Sequence, residues 1–309
     1  MDIFIQQLAN GLIIGSIYAL IALGYTMVYG ILGLINFAHG DVVMVGAMTT
    51  VTILTTLIGF NLGIPPYLLL VIAVLLALPV CALLGFSIER IAYRPLRHAP
   101  RLAPLITGIG VSIMLQNLAM MVWGRGYQRF PDVLTSTPFT IFTARITAYQ
   151  MGTFVLSIVL MLGLWILVQR TRLGRAMRAT SQNDKVAALM GVNVNRIISS
   201  VFMLGSGLGC VAGVMYTASY GQASATMGFL LGLKAFSAAV LGGIGNIRGA
   251  VLGGFVLGVI EAMGAGYLSD WTHGLMGSEY KDIFAFLVLI AVLMVRPSGL
   301  LGERQSERA

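Results

Sequence analysis

Charged side chains are scarce in this chain: Asp, Glu, Lys and Arg make up 10% of its 309 residues, while 58% are hydrophobic. Soluble chains carry about 25% charge, so there is too little polar surface here to cover the apolar side chains in water. Cysteine is nearly missing as well. Cys81 and Cys210 lie inside apolar runs with neither metal nor disulfide spacing, which assigns them to packing and leaves the compartment open. The chain contains no G-x-x-x-x-G-K-[ST] loop for phosphates, no His/Cys metal cluster and no Ser-His-Asp arrangement. It is therefore not read as an enzyme: no catalytic residue, metal or cofactor is assigned to it. The opening MDIFIQQLANG lacks the Lys or Arg of a signal peptide and is expected to remain as a span.

What fills the chain instead is a series of apolar runs, at 3–35, 42–59, 67–88, 102–122, 149–169, 197–219, 227–245, 249–268 and 280–295. A bilayer core of about 30 Å takes roughly 20 apolar residues per helix, and no run alternates as a membrane β-strand would. The expected fold is all-α: one polytopic integral membrane domain over 1–309, with about 8–10 transmembrane or half-spanning helices, broken or re-entrant ones included. The formal charge of +8 does not point to nucleic acid, because the basic residues sit at the ends of apolar runs rather than on one soluble face.

Those basic residues set an orientation, since Lys and Arg are retained on the cytoplasmic side. Arg90, Arg94, Arg97 and Arg101 share one connection, and Arg170, Arg172, Arg175, Arg178, Lys185 and Arg196 share another. With Arg248 and the tail 296–309 they mark the cytoplasmic face, which puts the C-terminus there. Only Arg125, Arg129, Arg145 and Lys281 stand opposite, and no basic residue precedes Arg90. The N-terminal side therefore depends on 3–35. One tilted span puts the N-terminus outside; a turn at Gly24-Tyr25-Thr26-Met27-Val28-Tyr29-Gly30, the reading favoured here, puts it inside.

The polar exceptions inside apolar sequence are candidate pathway residues. Asn36-Phe37-Ala38-His39-Gly40-Asp41 interrupts two apolar stretches, and a central Asp costs about 2.5–3.5 kcal/mol to insert. A helix broken near the midplane would compensate Asn36, His39 and Asp41. An ordinary cytoplasmic turn is the alternative, although such a turn would attract Lys or Arg and has none. Lys234 either lines the pathway or snorkels to headgroups; Glu261, central in its run, lines the pathway or pairs with a polar group. A second candidate break follows Leu241, at Gly242, Gly243 and Gly245. Small-residue seams run through Gly245, Gly249 and Gly253 and through Gly205, Gly209 and Gly213, a spacing that lets helices approach closely. His98 and His273 are read as solvated loop residues and Trp271 as an interfacial anchor.

The loop 170–196 carries a short helix. Ser181 or Asn183 can cap it, Asp184 suits its N-terminal dipole and Gly191 can end it. Val186, Ala187, Leu189 and Met190 form its apolar stripe, too short to cross a bilayer, which must rest on the membrane surface or in a groove of a partner.

Several stretches carry a family resemblance: GLIIGSIYALIALGYTMVYGILGLINFAHGD (11–41), IERIAYRPLR (88–97), LGRAMRA (173–179), VAALMGVN (186–193) and GLKAFSAAVLGGIGNIRGAVLGG (232–254). They resemble branched-chain amino-acid permeases of the LivH type, membrane subunits of binding-protein-dependent ABC importers. The resemblance implies a bacterial inner-membrane assembly with a homologous second permease, two cytoplasmic ATPases that use ATP and Mg, and a periplasmic binding protein delivering Leu, Ile or Val. It also implies that 182–191 is the coupling helix seated in an ATPase. The E-A-A-x-x-x-G signature common in such loops is matched here only by Ala187 and Gly191, with Lys185 and Val186 replacing its first two residues. Permeases for urea or short amides are close relatives, and a standalone secondary transporter using Asp41, Lys234 or Glu261 is the reading from another class.

Overall fold

The computed structural model describes residues 2–302 except 62, 98, 101, 134–137, 142–143, 273–276 and 278–279. His98, His273, the Trp271 side chain and 303–309 of the tail thus lie outside the described residues. In chain order the helices are α1 (Asp2–Leu32), α2 (His39–Gly59), α3 (Pro66–Ser87), α4 (Leu102–Trp123), α5 (Ala148–Arg170), α6 (Arg172–Gln182), α7 (Asp184–Leu189), α8 (Val194–Tyr220), α9 (Met227–Gly242), α10 (Ile247–Trp271) and α11 (Lys281–Val295). Among the described residues, seven helices are long and apolar enough to cross a membrane, and Met227–Gly242 is a shorter apolar helix. The apolar runs therefore correspond to helices of an all-α membrane fold. Among the described residues strand is confined to short pieces: β1 (Gln128–Arg129) pairs antiparallel with β4 (Gln222–Ala223), and β2 (Phe139–Ile141) with β3 (Ala144–Ile146).

The turn expected at 24–30 does not occur, because α1 runs unbroken for 31 residues. Glycine there serves close approach instead: a Cβ on Gly24 would overlap the His39 ring, and Gly30 faces the Gly245 backbone. The start of α1 consequently lies beside the Arg-poor connection, where the Gln6 side chain accepts from Arg145 N at 2.7 Å and donates to Arg145 O at 3.2 Å.

α1 is the axis of the bundle. Every residue from Ile17 to Leu23 is 0% exposed, as expected of a helix apolar on all sides. It meets α10 along a seam in which Gly11 and Gly15 face Gly258, Val259 and Phe255, while Gly254 faces Ala19. α3, α4 and α5 form the outside and turn large apolar residues outward, among them Leu83, Ile106, Val122 and Leu162. The second expected break is present as a turn between α9 and α10. Gly243 (φ +107°) and Gly245 (φ +94°) take positive φ, Asn246 caps α10 by accepting from Arg248 N and Gly249 N, and Leu300 N and Leu301 N donate to the Leu241 and Gly242 carbonyls. Gly242, Gly249 and Gly253 bring the two helices together, since a Cβ at any of them would strike the opposite backbone.

Candidate functional site

Three groups of polar side chains are built into this apolar frame. The first surrounds the start of α2. Residues 33–38 leave α1 without helical structure, and α2 begins at His39. His39 is packed against Gly24 of α1 and Gly205 and Gly209 of α8. Those α8 glycines lie roughly 17–22 Å along the helix from Val194 at 1.5 Å per residue, so α2 starts deep inside the bundle. Room for the imidazole comes from the three glycines, and Tyr25 meets it edge-on with ring centroids 4.8 Å apart. His39 Nε2 has no hydrogen-bond partner among the described residues.

Asp41 is 0% exposed, and its carboxylate lies within reach of the Ser112 and Gln116 side chains of α4. Further compensation comes from the geometry of two helix starts. Asp41 occupies the first turn of α2, and Gly40 and Asp41 touch Gly228 and Gly232 in the first turns of α9. The positive ends of two helix dipoles thus converge on one carboxylate. Glycine at 40, 228 and 232 is what allows the backbones to meet, since a Cβ at any of them would overlap the other helix. Asn36, just before α2, accepts from Tyr93 Oη at 3.1 Å.

The second group joins Lys234 and Glu261. Lys234 does not snorkel: it is 7% exposed, with Nζ 2.9 Å from Glu261 Oε1 and 2.7 Å from Asp282 Oδ1. Glu261 also accepts from Tyr18 Oη at 2.8 Å and faces Lys281 Nζ at 3.4 Å. Two ammonium and two carboxylate groups from α9, α10 and α11 therefore balance beside α1. A buried charge is tolerable when paired in this way, and loss of one member leaves its partner stranded.

The third group lies at the Arg-rich end. α3 continues into a π-helical turn, Ile88–Tyr93, and a 3-10 turn, Arg94–Leu96. π-turns are rare and often mark functional positions. This one carries Glu89, fully buried, in an ion pair with Arg97 and accepting from Ser199 Oγ of α8 at 2.6 Å. Arg97 Nη1 donates to Asn195 Oδ1 at 2.7 Å. Burial lowers the Arg97 guanidinium from its ordinary value, against the pull of Glu89 and, from α7, of Asp184. Tyr93, on the same π-turn, is the residue that reaches Asn36. Nearby, α7 is capped by Asn183, which accepts from Val186 N at 3.0 Å. It ends in a Schellman motif, with Val192 N donating to Ala187 O, Gly191 N to Ala188 O, and Gly191 at φ +85°. Its apolar stripe divides. Ala187 is buried at 3% exposure, whereas Val186, Leu189 and Met190 are 52%, 86% and 80% exposed.

Of the residues singled out in the sequence, Asn36, His39 and Asp41 thus gather at the α2 start, Lys234 and Glu261 form one ion network, and Asp184 to Gly191 form a separate capped helix. Gly205 and Gly209 adjoin His39, while Gly213 lets α8 meet the backbone of Val43. Sequence reasoning missed Glu89, Tyr93, Tyr18 and Asp282. Glu89 is preceded by an apolar run and followed by Arg90, which made it look like part of a solvated connection. The helix α6, whose arginines resemble loop composition, was missed too.

Comparison with known proteins gives a consistent result. The family profile described as "Branched-chain amino acid transport system / permease component" matches residues 7–293. The chain is 45% identical to the high-affinity branched-chain amino acid transport system permease protein BraD of Pseudomonas aeruginosa, over 99% of this chain and 98% of that protein. It is 43% identical to the permease protein LivH of Escherichia coli K12, over 99% and 97% of the two chains. Similarity extends to the fructose import permease protein FruG of Bifidobacterium longum, 26% identical over 81% of this chain and 74% of that protein. With the profile covering nearly all of a glycine-seamed helical bundle, the chain belongs to the family of permease components of branched-chain amino-acid transport systems.

Proposed function

We propose that this chain is the membrane-spanning permease subunit of an ATP-driven importer for Leu, Ile and Val in the bacterial inner membrane. The observation that carries the reading is α7: a short, firmly capped helix at the Arg-rich end whose Leu189 and Met190 remain exposed. Exposed apolar residues on a rigid helix suit a groove in another protein. In this reading the groove belongs to one of two cytoplasmic ATPases, which bind ATP and Mg. A homologous second permease completes the pathway, and a periplasmic binding protein delivers the solute. Arg-rich connections and the C-terminus face the cytoplasm. The unbroken α1 then puts the N-terminus outside.

Coupling runs through charge and then through contacts. Movement of α7 shifts the Asp184 charge that acts on Arg97, and from the Arg97–Glu89 pair it passes through the π-turn to Tyr93 and arrives at Asn36, where α2 begins. His39 and Asp41 belong to the part of the pathway that responds, because a buried carboxylate set between two helix starts and the Ser112 and Gln116 side chains of α4 is held by groups that shift with those helices. Lys234 and Glu261 are the polar lining on the outer side. Deleting the gene for this chain, then restoring it from a plasmid, should abolish and restore ATP-dependent leucine uptake from low external concentration. Unchanged uptake in the deletion strain would contradict the assignment.

A further inference from the structure

A cavity of about 260 Å³ opens at the Arg-poor end between α1, α5, α8, α10 and α11, directly above the ion network. Glu261 and Lys281 both line it, together with the amide side chains of Gln7, Asn10 and Gln150. Ile13, Ile14 and Ala262 supply apolar lining. Drug-sized ligands occupy roughly 300–1,000 Å³, so this space suits a solute the size of an amino acid.

The contacts of Glu261 are unequal. Oε2 is held by Tyr18 at 2.8 Å and Oε1 by Lys234 at 2.9 Å, whereas Lys281 stands off at 3.4 Å. The Lys281 side chain is also 29% exposed, against 2% for Glu261 and 9% for Lys234. Lys281 can therefore leave Glu261 without releasing it. We infer that this cavity binds the zwitterionic headgroup of an α-amino acid, its ammonium on Glu261 and its carboxylate on Lys281, with an aliphatic side chain against Ile13 and Ile14. The inference rests on the importer reading and adds to it an outer solute site. Electrostatics select the class of ligand. Lys234, Lys281, Glu261 and Asp282 sum to zero charge, and a zwitterion inserted between Lys281 and Glu261 preserves that balance while exchanging one ion pair for two. A cationic or anionic solute would leave an uncompensated charge in a poorly solvated place. Gln150 Oε1 already accepts from Thr147 N and Gln7 Oε1 from Asn10 Nδ2, so the Gln7 and Gln150 amide nitrogens remain to donate to the carboxylate end of the zwitterion.

Ser219, exposed on the cavity wall, offers a reporter, because the native Cys81 and Cys210 are both 0% exposed. Right-side-out vesicles holding the complete transporter with Ser219→Cys, washed free of binding protein, are labelled with an impermeant maleimide. L-Leucine should slow labelling severalfold. Leucinamide, which lacks the carboxylate, and 4-methylpentanoate, which lacks the ammonium, should not, and adding Lys281→Met should remove the protection by leucine. Unchanged labelling with leucine, equal protection by leucinamide, or protection that survives Lys281→Met would overturn the site. The ligand series with the native ion network decides the matter even where Lys281→Met fails to assemble. Leucine uptake by the same vesicles, with binding protein added and ATP inside, separates the two claims. Uptake without protection overturns the cavity site alone, and absence of uptake overturns the importer reading.

Discussion

Replacing Arg97 with Met would leave Glu89 charged, fully buried and without its cation, while Ser199 continued to donate to it. Removing one partner of a buried pair typically costs 3–5 kcal/mol. Because the Arg97 side chain is 13% exposed and Ser199 remains, the lower end applies, about 3 kcal/mol, or roughly a hundredfold in the folded population. The converse change, Glu89→Gln, should be milder at about 1 kcal/mol, since the guanidinium keeps Asn195 and can reach water. In the double variant the stranded carboxylate is gone, so most of the Arg97→Met penalty should disappear. Unfolding by SDS titration in mixed micelles, run as a double-mutant cycle, measures all three. Equal penalties for the two single variants, or a double variant as unstable as Arg97→Met, would refute the claim that Glu89 is the charge being neutralised.

The remaining predictions use other parts of the structure. Gly24→Ala should lower the thermal stability of the purified subunit by about 1–3 kcal/mol through overlap with the His39 ring, and His39→Ala added to it should restore most of that loss. Leu189→Asp and Met190→Asp, on exposed positions, should leave the stability of this subunit within about 0.5 kcal/mol of wild type yet abolish co-purification of the ATPase, as read on an affinity column. Asp41→Leu or His39→Leu should lower uptake without preventing assembly, and normal uptake at normal abundance would reduce 36–41 to a plain turn.

Much of the fold was legible because bilayer thickness and apolar run length are nearly the same statement. The error at 24–30 came from reading glycine with the habits of soluble chains. In a membrane bundle Gly24 and Gly30 admit a neighbour, and only the position of His39 and Gly245 reveals which one. Asn36 to Asp41 announced itself as a polar island, but its depth depends on where α8 places Gly205 and Gly209. Lys234 and Glu261 were visible as isolated charges. Their pairing was not, because it depends on the turn at Gly243 and Gly245 folding α10 back on α9, and on Asp282 arriving from α11. Glu89 was hidden for a different reason: its partner Arg97 belongs to the cluster of arginines that marks membrane orientation, and nothing in their spacing separates a structural arginine from a topological one.

Reconstitution addresses the central claim most directly. Proteoliposomes containing this chain alone should take up no leucine under any imposed ion gradient. Adding the second permease, the two ATPases and the binding protein, with ATP on the cytoplasmic side, should produce leucine uptake that stops when ATP is withheld. Ion-driven leucine uptake by the chain alone would contradict the account.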